Sequence, residues 1–135
     1  PGNITDFDEI AELLRSLRDF FQLEHVGYDQ PQATKFATDL VKEGFPMIEV
    51  PQTVLVLSEP MKQLDAWMRA QLIVHGGDGV MEWQIANVTG APDKKDNVYP
   101  NKPRADAKID NPVALMSAIR VHLSAEATSR SFWEQ

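Results

Sequence analysis

The fold is decided by residues 24–31, EHVGYDQP, where a short apolar run meets a turn signal. The run predicts a strand over residues 24–28, which ends at Asp29-Gln30-Pro31. The helical pattern that follows covers residues 32–43, and Gly44 is the glycine expected just beyond a helix C-terminus. A second strand is predicted over residues 46–50.

Before this stretch, the apolar spacing of residues 5–22 predicts an amphipathic helix capped by Thr5 or Asp6. The side chains expected in the core from this helix are Phe7, Ile10, Leu13, Leu14, Leu17 and Phe21. The order helix, strand, helix, strand is typical of an α/β domain whose sheet is at least partly parallel.

The rest of the chain predicts helices separated by irregular segments. In order, these are a helix from about Ser58, a short strand over residues 72–74, a short helix over 80–88, a loop over 89–107 and a helix over 111–123. Residues 124–135 form a tail that is either flexible or docked through Phe132 and Trp133.

Length and composition indicate one ordinary globular domain over residues 1–135. Hydrophobic residues make up 43% and charged residues 24%, and no apolar run is long enough to cross a membrane. The absence of cysteine excludes disulfides and thiolate metal sites, as expected for a cytoplasmic protein. Because the first residue is not Met, we expect a fragment or a processed chain.

Motifs for several enzyme classes are missing. The sequence has no phosphate-binding loop, no dinucleotide-binding glycine motif, no G-x-S-x-G and no H-E-x-x-H. The chain by itself is therefore not a P-loop ATPase. Its three histidines, His25, His75 and His122, share no ligand spacing and are expected to be structural.

Asp29 falls at the carboxyl end of a predicted strand, the edge at which ligands bind in open α/β sheets. The alternative is that Asp29 only caps the following helix or forms an Asx turn.

Asp110 belongs to residues 108–115, KIDNPVAL, which open the last helix. Pro112 suits the first helical position and Asn111 is then the expected N-cap. Asp110 would lie just outside the helix, with its carboxylate near the positive end of the helix dipole. The alternative is that Asp110 itself is the cap.

If Asp29 and Asp110 face the same sheet edge, they form an acidic cluster that is unfavourable without a cation, since like charges a few ångströms apart raise each other's pKa. Mg²⁺ or Mn²⁺, which prefer oxygen ligands, would fit. Two such ions about 4 Å apart can clamp the attacking and leaving oxygens of a phosphodiester.

The charge of the chain is unevenly distributed. Its net charge of −7 is unlike that of a protein whose whole role is to hold nucleic acid. Residues 94–108, however, carry Lys94, Lys95, Lys102, Arg104 and Lys108. A polyanion is expected to contact this stretch rather than the acidic residues 1–29. The alternative is a solvated loop that balances an acidic body.

Three stretches together resemble the C-terminal part of the tailed-phage terminase large subunit. They are VGYD (26–29) with a helix ending EGF (43–45), IVHGGDGVMEWQIANV (73–88) and KIDNPVAL (108–115). The resemblance covers residues 2 to 123. It implies an α/β, partial RNase H-like (ribonuclease H-like) domain with a short mixed or parallel sheet flanked by helices.

The resemblance also implies a function. The family's endonuclease cuts concatemeric double-stranded DNA by two-metal hydrolysis in the bacterial host cytoplasm, encoded by a phage or prophage. It works beside a packaging ATPase, a small terminase subunit and the portal. Asp29 and Asp110 would then be catalytic ligands of Mg²⁺ or Mn²⁺. The DNA contacts would be Lys94, Lys95, Lys102, Arg104 and Lys108, in an exposed and mobile loop.

This chain departs from the family in two places. A further family Asp lies on the first strand of the sheet, and no stretch here matches that strand. We expect residues before Pro1 to supply it and the fragment alone to be weak or inactive. Gln30-Pro31 stands where the family commonly has an aromatic residue, so the local geometry after Asp29 is expected to differ.

Two alternatives stay open. One is a non-catalytic interaction module that binds a protein through its acidic surface and the Phe132-Trp133 tail, with both Asp residues as caps. The other is a different RNase H-like nuclease, such as a resolvase or transposase core. Metal binding separates the first from a terminase nuclease, and an upstream ATPase separates the second.

Overall fold

The elements of the chain follow the predicted order through the second strand. The computed structural model describes residues 5–133, apart from the side chains of Gln32 and residues 128–133. In chain order the elements are α1 (Phe7–Phe20), β1 (Val26–Tyr28), α2 (Gln30–Lys42), β2 (Met47–Glu49), α3 (Val54–Arg69), α4 (Gly79–Ala86) and α5 (Asp110–Trp133). Two compact units are formed, Pro1–Glu49 and Val50–Gln135. The single domain over residues 1–135 stays a prediction.

In the first unit, β1 and β2 pair in parallel, with Val26 beside Met47 and Tyr28 beside Glu49. Parallel strands need a crossover between them, and α2 supplies it. These helices and strands confirm the predicted α/β class. Because β1 ends at Tyr28 and α2 begins at Gln30, Asp29 is the only residue between them.

The end of α2 is determined by Gly44, as predicted. Gly44 has a φ of +85°, its N–H donates to Val41 O at 3.0 Å, and the N–H of Phe45 donates to Leu40 O at 3.0 Å. This pair of bonds is a Schellman motif, which satisfies carbonyls that the helix end would leave bare. Leu40 and Phe45 are both buried, so the motif also anchors the core of this unit.

The predicted core face of α1 is only partly buried. Asp6 caps the helix by accepting from the N–H groups of Asp8 and Glu9, which confirms one of the two predicted caps. Leu14 packs against the buried cluster, and Ala11 is the buried residue of the helix. The placement of Ile10, Leu13 and Phe21 in the core is wrong, since their exposures are 38%, 57% and 62%.

The core of the second unit lies between α3 and α5. Its buried side chains are Val50, Leu57, Leu64, Met116, Ile119 and Val121. The predicted start of α3 near Ser58 is wrong, because the helix begins at Val54 and Pro60 lies inside it. Leu57 is fully buried, and burial of this side chain explains why an apolar segment with strand-like composition adopts a helix.

Residues 72–74 do not form the predicted strand. Leu72, three residues after the end of α3, instead donates its N–H to Trp67 O at 2.9 Å and satisfies a carbonyl of the last helical turn, and Val74 is 96% exposed. The short helix that follows is confirmed as α4. Asp78 caps it, accepting from the N–H of Met81 at 2.7 Å.

The start and the end of α5 both differ from the prediction. Asp110 is its first residue, and the carbonyl of Ile109 accepts from the N–H of Val113 at 3.1 Å. Asn111 is therefore inside the helix and is not the N-cap. The helix also continues past Leu123 to Trp133. Docking through Phe132 and Trp133 concerns side chains outside the described ones.

Candidate catalytic carboxylates and basic surface

Asp29 lies at the N-cap position of α2 with an extended backbone, φ −95° and ψ 132°. Its side chain is exposed and makes no capping hydrogen bond. The position is thus the one at which a cap is expected, but the carboxylate does not serve as one. Both oxygens are left available to a ligand.

Asp110 is exposed in the first turn of α5. Within the described residues its carboxylate has no hydrogen-bond or ion-pair partner. A negative side chain in this turn is favoured by the positive end of the helix dipole. Since the carboxylate neither caps the helix nor pairs with a cation, it is also available to a ligand.

The backbone around Asp110 is held by α4. The N–H of Asn111 donates to Gln84 Oε1 at 2.8 Å, and Asn87 Nδ2 donates to the carbonyl of Lys108 at 3.2 Å. Gln84 is only 7% exposed and is the buried residue of α4. The sequence predicts no role for either side chain, although both lie in the quoted stretch 73–88.

Asp29 and Asp110 belong to different compact units. Among residues 5–133, no group of three or more His, Cys, Asp or Glu side chains is arranged to hold a metal ion. Carboxylate oxygens are the donors that Mg²⁺ and Mn²⁺ prefer, so the residues fit such an ion in kind. Two carboxylates are fewer than the set that the resemblance implies. Their role as metal ligands stays a prediction.

The His75-Gly76-Gly77 stretch forms the approach to α4. The N–H of Gly77 donates to His75 Nδ1 at 3.2 Å, and Gly77 has a φ of +71°. His75 Nδ1 also lies 3.9 Å from Glu82 Oε1. The stretch therefore sets the turn before α4.

Lys94 and Lys95 project from a tight turn built on Asp93. The Asp93 carboxylate accepts from the N–H groups of Lys95 and Asn97, at 2.7 and 2.9 Å, and from Asn97 Nδ2 at 3.0 Å. These bonds, the Asn97 side chain first, lower the pKa of Asp93. Both lysines are exposed and, within the described part of the chain, have no ion-pair partner.

The other predicted DNA contacts differ in how far they are engaged. Lys102 Nζ donates to the carbonyl of Ala105 at 3.0 Å, and Arg104 Nε lies 3.3 Å from Asp106 Oδ1. Lys108 is exposed, and no ion pair of its side chain occurs within residues 5–133. The positive charge of Arg104 is partly compensated, whereas Lys94, Lys95 and Lys108 have no ion-pair partner among the described residues, and the contact of all five residues with DNA stays a prediction.

The loop over residues 89–107 is irregular, as predicted, but it is not exposed throughout. Thr89 and Asn101 form an antiparallel bridge, and Ala107 is 2% exposed. The N–H of Val98 donates to Ser58 Oγ at 3.1 Å, and Tyr99 Oη donates to the carbonyl of Gln52 at 3.2 Å. These bonds attach the middle of the loop to the α3 region. Its mobility stays a prediction.

Comparison with known proteins decides the family. A family model described as terminase large subunit, endonuclease domain, matches residues 2–126. The chain belongs to this family.

The chain is also similar to one curated protein and to one solved structure. It is 32% identical over 120 residues to Protein YmfN of Escherichia coli (strain K12), covering 87% of this chain and 26% of that protein. It matches the crystal structure of the HK97 bacteriophage large terminase with a TM-score of 0.78 at 21% identity, covering 90% of this chain and 26% of that one. The terminase chain spans about a quarter of the length of each.

The structural match confirms the partial RNase H-like fold of the terminase chain. Among the helices within residues 5–133, none combines the length and the apolarity needed to cross a membrane.

Proposed function

We propose that this chain is part of the metal-dependent endonuclease of a phage or prophage DNA-packaging terminase large subunit. Its substrate would be concatemeric double-stranded DNA, cleaved by two-metal phosphodiester hydrolysis. The observation that carries the proposal is that, in a member of the terminase endonuclease family, the Asp29 and Asp110 carboxylates are exposed and have no hydrogen-bond or ion-pair partner among the described side chains.

The interaction-module alternative requires both Asp residues to be caps. Asp29 makes no capping bond, and Asp110 lies inside the first turn of α5. The family match also favours a terminase over a resolvase or transposase core. In the complete protein, the partners would be DNA, the small terminase subunit and the portal, in the cytoplasm of the bacterial host.

In this proposal Asp29 and Asp110 hold Mg²⁺ or Mn²⁺, which would stabilise charge on the attacking and leaving oxygens. Lys94, Lys95, Lys102, Arg104 and Lys108 contact phosphates and position the duplex without reading its sequence. The chain's two carboxylates are an incomplete ligand set, so we expect this chain alone to be weak or inactive.

The test is plasmid cleavage with Mn²⁺, for this chain alone and for a complete large subunit that contains it. We expect cleavage only by the complete protein, and its loss in Asp29→Asn and Asp110→Asn, because an amide is a poorer ligand for these ions than a carboxylate. The control is Asp65→Asn, which removes the same charge from an exposed ion pair with Arg69 on α3.

Folding of every variant is checked by circular dichroism. Cleavage that persists at the parent rate in folded Asp110→Asn would contradict the proposed role of that carboxylate. Strong metal-dependent cleavage by the 135-residue chain alone would contradict the proposed incompleteness.

A further inference from the structure

The first turn of α5 obtains its cap from another helix. The N–H groups at the start of a helix have no partner within the helix, and a Ser, Thr, Asn or Asp at the N-cap usually supplies one. Here Ile109 precedes the helix and has no such side chain. Gln84 of α4 provides the acceptor instead, with its Oε1 at 2.8 Å from Asn111 N.

Asn87, the C-cap residue that follows α4, holds the other side of the same turn. Asn87 lies three residues after Gln84 and therefore on the same side of the helix. Its Nδ2 donates to the carbonyl of Lys108 at 3.2 Å. The Gln84 and Asn87 amides thus bind the main chain at Asn111, directly after Asp110, and at Lys108, two residues before it.

Both bonds go to backbone atoms, so neither uses the Asp110 carboxylate. Gln84 is 7% exposed, and a buried amide is held to a narrower range of positions than a solvated one. The arrangement fixes the backbone on both sides of Asp110 and leaves its side chain out of the cap.

We propose that Gln84 and Asn87 are positioning residues, which orient the Asp110 carboxylate towards a divalent cation by fixing its backbone. The proposal rests on the proposed function, because it takes Asp110 to be a metal ligand. Groups that orient a ligand without touching the metal commonly change metal affinity about 10–100-fold when they are removed.

The test uses backbone amide NMR of a complete large subunit that contains this chain, during titration with MnCl₂, because the proposed ligand set is incomplete in the 135-residue chain alone. Paramagnetic Mn²⁺ broadens the signals of nearby amides, so the midpoint at Asp110 reports binding without any activity assay. In Gln84→Met, which removes the acceptor but keeps the length, we expect a shifted Asn111 amide signal and a midpoint raised about 10–100-fold.

Two variants serve as controls. Gln84→Glu keeps an acceptor oxygen, whether or not the new carboxyl group is charged. It should leave the midpoint within about threefold of the parent, which is well below the change expected when an orienting group is removed. Gln52→Met makes the same substitution at a half-buried Gln whose Nε2 lies 3.4 Å from Ser117 Oγ, further along α5. It should leave the midpoint at Asp110 unchanged.

An unchanged midpoint in Gln84→Met, together with a shifted Asn111 signal, overturns the proposal. If Gln84→Met does not fold, Asn87→Ala decides: a raised midpoint supports the proposal and an unchanged one overturns it. If Mn²⁺ broadens no signal near Asp110 in the parent, or if that broadening persists in Asp110→Asn, the proposed metal role of Asp110 is itself wrong. If instead the parent binds Mn²⁺ at Asp110 and the Gln84 and Asn87 variants bind it equally well, only the positioning role is overturned.

Discussion

At the scale of single residues, α2 and α3 are each followed by a residue in the left-handed backbone region. Both end in the same pair of hydrogen bonds, with Gly44 at φ +85° in one and Gln71 at φ +56° in the other. An L-residue with a side chain costs about 1–2 kcal/mol in this region, and glycine does not. Gly44 could therefore be predicted from the sequence as a helix end, whereas Gln71 gives no such signal.

We expect Gly44→Ala to destabilise the first unit by about 1–2 kcal/mol. No atom lies within 4 Å of a Cβ added there, so the cost is conformational and not a clash. The readout is hydrogen exchange of the Phe45 amide, which is bonded to Leu40 O. Gly79→Ala is the control, because a Cβ there is equally uncrowded and Gly79 lacks a positive φ. Equal effects of the two changes would contradict this explanation.

At the scale of elements, the loop over residues 89–107 combines an exposed turn with a segment that is hydrogen-bonded to the α3 region. Asp93 organises the turn that carries Lys94 and Lys95, while Val98 and Tyr99 are bonded to the α3 region. The backbone that carries the two lysines is therefore held in one conformation by hydrogen bonds. A preformed turn loses less conformational entropy on binding a phosphate backbone than a disordered loop does.

We expect the double change Lys94→Ala, Lys95→Ala in the complete large subunit to weaken DNA binding. Each phosphate interaction lost through these two changes should reduce the slope of log affinity against log salt by about 0.9. The measurement is fluorescence anisotropy with a duplex at several salt concentrations. The control is Lys35→Ala with Lys42→Ala, which removes the same charge from lysines paired with Asp39. If both double variants change the slope equally, net charge and not the loop explains the effect.

Local signals predict the elements that depend on local interactions. The parallel strands, the end of α2 at Gly44 and the short helix α4 follow from turn residues and periodicity. The start of α3 could not be predicted in this way, because its position depends on burial of Leu57 against residues of α5. A run such as residues 72–74 forms a strand only beside a partner strand, and none of the described strands pairs with it.

The same distinction applies to the candidate site. Asp29 and Asp110 can be predicted as candidates because each adjoins a helix start, which a sequence reveals. The bond from Asn111 to Gln84 joins residues 27 positions apart, and no local pattern encodes it. The sequence consequently predicts Asn111 as the cap of α5, a role that Gln84 has instead.

At the scale of the whole molecule, the net charge of −7 coexists with ion pairs on the surface. In the first unit, Arg15 Nη2 lies 2.7 Å from Glu43 Oε1, and Lys35 and Lys42 both bind the Asp39 carboxylate. The Arg15 hydrogen bond lowers the pKa of Glu43, and the Lys35 and Lys42 hydrogen bonds lower the pKa of Asp39. The folded state therefore favours the charged form of both carboxyls.

We expect the free energy of unfolding to decrease as the pH falls below about 4.5, the ordinary value of a glutamate. A carboxyl whose pKa is lower when folded stabilises the fold above its unfolded value, and this contribution is lost as the pH falls through the folded value. Urea unfolding at pH 7 and through the acid range measures it. Glu43→Gln should flatten the pH dependence. A variant as acid-sensitive as the parent would show that the Glu43 pair does not contribute.

The cap that α4 supplies to α5 also has a consequence for the order of folding. α4 has eight residues, fewer than an isolated helix needs to persist in water. The first turn of α5 is completed only after the intervening loop has closed and brought Gln84 to Asn111. Conversely, we expect undocking of α4 to break the hydrogen bond from Asn111 to Gln84 while the α3–α5 core is still intact. We therefore expect the backbone of Asp110 to keep its orientation only while this eight-residue helix stays docked.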